Sequence, residues 1–178
     1  MQTDHSLVIN KLKKIKLLLL DVDGVLTDGS IIYDDTGSQI KVFNVKDGLG
    51  IRLLMLSGVQ VGIATGRRSK ALLHRCENLG ISLIFDGLST KTEVLNAVYQ
   101  QTGILAEEIA FVGDDIMDLP LMKNSGVSIA VADAHELIRS HADMVTRATG
   151  GKGAVREICE AVLKAKNQWD NVISRFMV

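Results

Sequence analysis

Residues 17–28 read Leu-Leu-Leu-Leu-Asp-Val-Asp-Gly-Val-Leu-Thr-Asp, and they decide the fold. An apolar run with no polar alternation predicts a strand buried on both faces, as in parallel sheets covered by helices. The run extends from Ile15 to Leu20 and stops at two carboxylates, Asp21 and Asp23. A buried strand interior does not tolerate such charges, so the chain leaves the sheet at that point and does so with acid.

Outward from this strand the same rhythm recurs. Apolar runs at Gln60–Ala64, Ser82–Phe85, Ile109–Val112, Val127–Ala130 and Met144–Val145 alternate with amphipathic stretches. The latter lie near Gly48–Ser57, Ser69–Leu79, Lys91–Gln101, Leu119–Asn124, Ala134–Ser140 and Ala154–Lys166. Strands separated by helices predict a doubly wound, mainly parallel α/β sheet. One stretch breaks the pattern. Ile31-Ile32-Tyr33, Asp34-Asp35-Thr36-Gly37 and Gln39–Phe43 predict a β-hairpin over about residues 30–44, inserted after the first strand. No linker or repeat divides the 178 residues, so a single domain is expected, with a weakly patterned tail from about 167 to 178.

A formal net charge of −1 gives no electrostatic case for nucleic acid or an anionic membrane as partner. Lys11, Lys13, Lys14 and Lys16 before the four leucines imitate the start of a secretion signal. The apolar run ends too soon for that, and far short of the ~18 residues of a membrane span. A cytoplasmic protein is expected, with Cys76 and Cys159 as reduced, partly buried thiols.

Ligands of open α/β sheets bind at the carboxyl ends of the strands. There the sequence places Asp21, Asp23 and Asp28 after the first strand and Thr65-Gly66-Arg67 after the second. Lys91 follows the third, and Gly113-Asp114-Asp115 with Asp118 follows the fourth. Carboxylates this close repel one another, and a divalent cation relieves the repulsion; all-oxygen ligands favour Mg²⁺. Each piece also has a plainer reading. Asp-x-Asp-Gly makes turns, Asp114 and Thr65 can cap helices, and Lys91 can be a surface lysine. Three acids within Asp114–Asp118, facing another pair, exceed what a cap requires. Thr90-Lys91-Thr92-Glu93 reads as a capping box, which puts Lys91 in a first helical turn where the dipole disfavours a cation. A lysine there against local preference suggests a task elsewhere, such as neutralising a phosphate.

Taken in order, DVDGVLTD, ATGR, Lys91 and GDDIMD resemble the four motifs of the haloacid dehalogenase superfamily, from Ile15 to about Glu160. The spacings from Asp21 to Thr65 and from Thr65 to Lys91 leave no room for a cap domain, so an open site is expected. FNVKDGLGI, VADAHELIRSHADMVT and GGKGAVREICE narrow the resemblance to superfamily phosphatases of an eight-carbon sugar acid phosphate destined for lipopolysaccharide. The resemblance implies a Rossmann-like fold and Mg²⁺-dependent hydrolysis of a phosphomonoester through an aspartyl phosphate on Asp21. It makes Asp23 the general acid and base, with Thr65 and Lys91 holding the phosphoryl oxygens. Mg²⁺ would sit on Asp21, the backbone carbonyl of Asp23 and Asp114, supported by Asp115 and Asp118. Substrate contacts would come from Asp23, Asn44, Val45, Lys46, Asp47, Gly48, Arg52, Arg67, Arg75 and Lys91. A homotetramer is implied, joined through the hairpins, with neighbours closing each site. Gly150-Gly151-Lys152-Gly153 is a loop that could touch ligand or neighbour. A phosphatase of another sugar or a nine-carbon sugar acid phosphate stays open, as does a non-catalytic phospho-receiver or assembly domain.

Overall fold

The structure, a computed structural model, describes residues 5–88, 91 and 93–177. Leu17–Leu20 form β1, and all four leucines are fully buried. Around it stand β4 (Gln60–Ala64), β5 (Leu83–Phe85), β6 (Ile109–Gly113), β7 (Val127–Ala130) and β8 (Met144–Val145). They make a six-stranded sheet in the order β5-β4-β1-β6-β7-β8, with every neighbouring pair parallel. β1 is flanked by β4 and β6, in register Leu17 to Gln60 and Leu17 to Ile109. The remaining strands, β2 (Ile32–Tyr33) and β3 (Gln39–Ile40), pair antiparallel with each other in a sheet of their own. That is the expected doubly wound sheet with its hairpin insertion, although each hairpin strand has only two paired residues.

The helices are α1 (His5–Lys14), α2 (Val45–Leu56), α3 (Lys70–Leu79), α4 (Val94–Thr102), α5 (Leu119–Asn124), α6 (Glu136–His141), α7 (Ala154–Ala165) and α8 (Trp169–Ser174). α7 buries Ala154, Val155, Ile158, Cys159, Val162 and Leu163 along one stripe at helical spacing. Cys76 and Cys159 are free and buried, as expected of reduced thiols. No described helix is long and apolar enough to cross a membrane.

Three local expectations change. β1 begins at Leu17 rather than Ile15, because Ile15 N–H bonds the Leu12 carbonyl in the turn leaving α1. Thr90, the capping residue of the expected box, lies outside the described residues. α4 starts at Val94, so Lys91 precedes the helix instead of sitting in its first turn. The weakly patterned tail contains α8, which buries Val172 and sets the Trp169 ring 5.1 Å from the Lys164 ammonium.

α1 had no counterpart among the expected helices. It contributes Val8 and Leu12 to the core and packs on α7. Lys11 ties it to the sheet edge, its Nζ lying 2.6 Å from Asp143 Oδ1, while Asp143 Oδ2 accepts from Ser128 N at 2.9 Å and Ser128 Oγ at 3.1 Å. Burial opposes the Asp143 charge, but Lys11 and Ser128 overcome it and hold its pKa below the usual carboxylate range. A depressed folded-state pKa adds stability that is complete above the unfolded value and disappears as pH falls through the folded one. Asp143→Asn should therefore cost about 1 kcal/mol at neutral pH, its Lys11 end being partly screened. Denaturant melts should show that penalty shrinking below about pH 4.

Candidate active site

Strand order reverses at β1, with β4 and β5 on one side and β6 to β8 on the other. At such a switch point the carboxyl ends of adjacent strands open a crevice. Asp21, Thr65 and Asp114, which end or follow β1, β4 and β6, line a cleft of about 600 Å³ together with Asp23, Arg67, Lys91, Asp115 and Asp118. Asp21 prolongs the ladder, since its N–H bonds the Val112 carbonyl at 3.0 Å. The chain then coils back at once, with the N–H groups of Val25, Leu26 and Thr27 all directed at the Val22 carbonyl.

Two glycines allow the close approaches this requires. Gly24 has φ +89°, and a Cβ there would lie 2.0 Å from Asp114 Oδ2. A Cβ on Gly150 would lie 1.7 Å from the Gly24 carbonyl oxygen, and Gly151 N–H bonds Val25 O at 2.9 Å. The Gly150-Gly151 loop thus braces the acidic turn.

Carboxylate oxygens of Asp21, Asp114 and Asp118 fall within 4.8 Å of one another, the one such group among the described residues. Asp118 is fully occupied. Its Oδ1 takes the Lys91 ammonium at 2.5 Å, and its Oδ2 accepts from Asp114 N at 2.8 Å and Asp115 N at 3.2 Å. Asp115 Oδ1 accepts from Ile116 N at 2.7 Å, capping the turn before α5. Lys91 Nζ also lies 2.9 Å from Asp21 Oδ1 and is almost wholly buried. Burial opposes the Lys91 charge, but Asp21 and Asp118 outweigh it and raise its pKa. Burial pushes the Asp21 carboxyl up, with Asp118 adding and Lys91 opposing. Burial followed by the charges of Asp21, Asp118 and Asp115 raises Asp114 well above the carboxylate range. One lysine does not balance three crowded acids, and the oxygen donors suit a hard divalent cation. Asp21 and Asp114 would hold it, with Asp118 fixing Lys91 and the backbone beside them.

The expected substrate contacts divide. Asp23, Arg67 and Lys91 line the cleft, whereas Asn44, Val45, Lys46, Asp47, Gly48, Arg52 and Arg75 do not. Asn44 caps α2, its Oδ1 accepting from Lys46 N at 2.8 Å and its Nδ2 donating to Gly151 O at 3.2 Å. Asp47 is buried and caps α7, accepting from Gly153 N at 3.2 Å and Arg156 N at 2.7 Å. Burial raises its pKa despite those N–H groups. Arg52 donates to Asn78 O at 2.5 Å. Arg75 donates to Asn44 O at 3.3 Å and lies over the Phe43 ring beside Gly48. Val45 and Lys46 project into solvent. Asn44 and Asp47 thus tie the start of α2 to the start of α7 and the loop before it, while Arg52 and Arg75 tie α2 to α3.

Lys41 is the residue that the motifs passed over. It comes in from the hairpin, and its ammonium contacts Asp23 Oδ1. Its signal lies in the pattern, a single cation between Ile40 and Val42 on a strand run, facing opposite to both.

Comparison with known proteins matches these features. A model of haloacid dehalogenase-like hydrolases covers residues 83–158. The chain is 47% identical to 3-deoxy-D-manno-octulosonate 8-phosphate phosphatase KdsC of Escherichia coli K12 over 163 residues, 92% of this chain and 87% of that one. The chain belongs to the haloacid dehalogenase-like hydrolases. It also matches the crystal structure of the phosphatase of the same name from Yersinia pestis, with TM-score 0.90, 43% identity and coverage of 92% and 89%. The Moraxella catarrhalis phosphatase, solved in complex with a magnesium ion, a phosphate ion and a KDO molecule, matches with TM-score 0.94, 42% identity and coverage of 97% and 99%. Among the described residues, the hairpin and α2 are the elements between β1 and β4, and α3 and β5 those between β4 and Lys91.

A group whose folded-state pKa is raised destabilises the fold as pH climbs above its unfolded value, and a bound cation reverses that by displacing the proton. Thermal melts from about pH 5 to about pH 8 should show Mg²⁺ raising the midpoint by an increment that grows with pH. Asp114→Asn should raise the midpoint of the metal-free protein while removing most of that increment.

Proposed function

We propose that the chain is a Mg²⁺-dependent phosphomonoesterase that converts 3-deoxy-D-manno-octulosonate 8-phosphate to 3-deoxy-D-manno-octulosonate and inorganic phosphate. The observation that carries the reading is the buried Asp21 carboxylate, 2.9 Å from Lys91 and within metal-sharing distance of Asp114, at the mouth of a doubly wound sheet. Close identity to phosphatases of that name supports the substrate.

Asp21 attacks phosphorus in line; a bond forms from its carboxylate oxygen and the bond to the sugar oxygen breaks. Asp23 gives its proton to the departing oxygen. Water then attacks the aspartyl phosphate, Asp23 takes the proton from that water, and the Asp21–phosphorus bond breaks to release phosphate. Lys91 orients Asp21 and offsets charge on the transferring group, and Thr65 offers its hydroxyl to a phosphoryl oxygen. Magnesium bound at Asp21, Asp114 and the Asp23 carbonyl would supply positive charge that lets one anion approach another.

The same reading makes the chain one domain acting as a homotetramer. Ile31, Ile32, Tyr33, Ile40 and Val42 form an exposed apolar hairpin surface, which suits burial against further copies. A cytoplasmic workplace accords with two unpaired thiols.

Phosphate release from a panel of sugar and sugar acid phosphates tests this reading. The eight-carbon substrate should lead, and EDTA should abolish its turnover. Asp21→Asn should cut kcat by at least ~10³-fold with the fold intact. Undiminished turnover by that variant would overturn the mechanism, and a different preferred substrate would overturn the assignment of the sugar.

A further inference from the structure

Between Asp28 and Ser38 every residue is exposed, and the hairpin pairs with no other strand. On its return path Gln39, Lys41 and Phe43 turn inward, and the Lys41 side chain is 2% exposed. An ammonium enters the body of a protein only where a partner receives it, and here the partner is Asp23 Oδ1. The other oxygen of that carboxylate is different. Asp23 Oδ2 is buried and has no hydrogen-bond partner among the described residues. The Arg67 guanidinium stands 3.8 Å away, beyond hydrogen-bond reach. Asp23 lines the cleft into which Lys91 and Asp21 also face.

We propose that Lys41 is a positioning residue for Asp23. By holding Oδ1 it fixes the carboxylate and leaves Oδ2 as the oxygen not already engaged, to serve the departing ester oxygen. The proposal rests on the reading of Asp23 as the group that serves the leaving oxygen. Two lysines then divide two aspartates. Lys91 orients the nucleophile from the segment between β5 and α4, and Lys41 orients the proton-transfer group from the hairpin. Neither contact substitutes for the other, because Lys91 is already shared between Asp21 and Asp118.

A contact that merely pinned the hairpin would affect all substrates alike. A contact that orients Asp23 matters most when the leaving group needs a proton. The experiment compares 3-deoxy-D-manno-octulosonate 8-phosphate, which departs as an alkoxide, with p-nitrophenyl phosphate, which departs as a stabilised phenolate. Lys41→Met should lower kcat on the sugar acid phosphate on the order of tenfold more than on the aryl phosphate. Lys41→Arg should restore part of the difference. In an Asp23→Asn background Lys41→Met should have little further effect on the sugar substrate. Equal losses on both substrates, or no loss on either, would overturn the proposal, and residual aryl phosphate turnover reports that the variant is folded. Failure of the wild-type protein to hydrolyse the sugar acid phosphate, while hydrolysing the aryl ester, would instead remove the substrate reading. A Lys41→Met loss no greater on other alkyl phosphates than on the aryl ester would then overturn the role of Lys41 separately.

Discussion

Everything at the mouth of the sheet depends on holding Asp21, Asp114 and Asp118 within 4.8 Å of one another, with Asp21 and Asp118 buried and Asp114 half-buried. Three carboxylates against the single ammonium of Lys91 leave an excess of negative charge that no other described side chain in the cluster neutralises. Such an arrangement survives only because the backbone leaves the acids no room to separate. Asp21 is locked by the β1–β6 ladder, Asp114 is pressed against Gly24, and Asp118 is held by the N–H groups of Asp114 and Asp115. The fold thus stores an unfavourable charge cluster that a divalent cation, and then a phosphate, would relieve.

That constraint explains the glycines as much as the acids. Gly24 admits Asp114, and Gly150 admits the carbonyl of Gly24, so residues more than a hundred positions apart are interlocked by the absence of side chains. Asp47 works over a similar distance. Its carboxylate satisfies two N–H groups at the start of α7, which brings the Gly150-Gly151 loop to the acidic turn.

The sheet was legible because its strands are mostly apolar and its acids fall at strand ends, a signal that needs no knowledge of tertiary contacts. Gln60–Ala64, Val127–Ala130 and Met144–Val145 have the bounds their residues predict. What resisted reading was whatever depends on a distant partner. α1 hides its two core residues, Val8 and Leu12, among lysines, so it reads as a charged flank until Asp143 and α7 are beside it. That Asp47 caps α7 was equally hidden, because nothing nearby in the chain reveals that α7 requires a cap. Lys91 was recognisable as out of place, but the local reason was wrong: it precedes α4, and its position is set by Asp21 and Asp118.

The hairpin joins these strands of argument. A two-stranded ribbon of two residues per strand is marginal by itself, and most of its apolar side chains face water. Its ion pair to the body runs through Lys41 to Asp23, a group in the cleft. Of that pair the Lys41 side chain is already withdrawn from water and the Asp23 side chain is 23% exposed, so the strength of the attraction depends on how much water reaches Asp23. Whatever places the hairpin therefore also places Asp23, through one lysine.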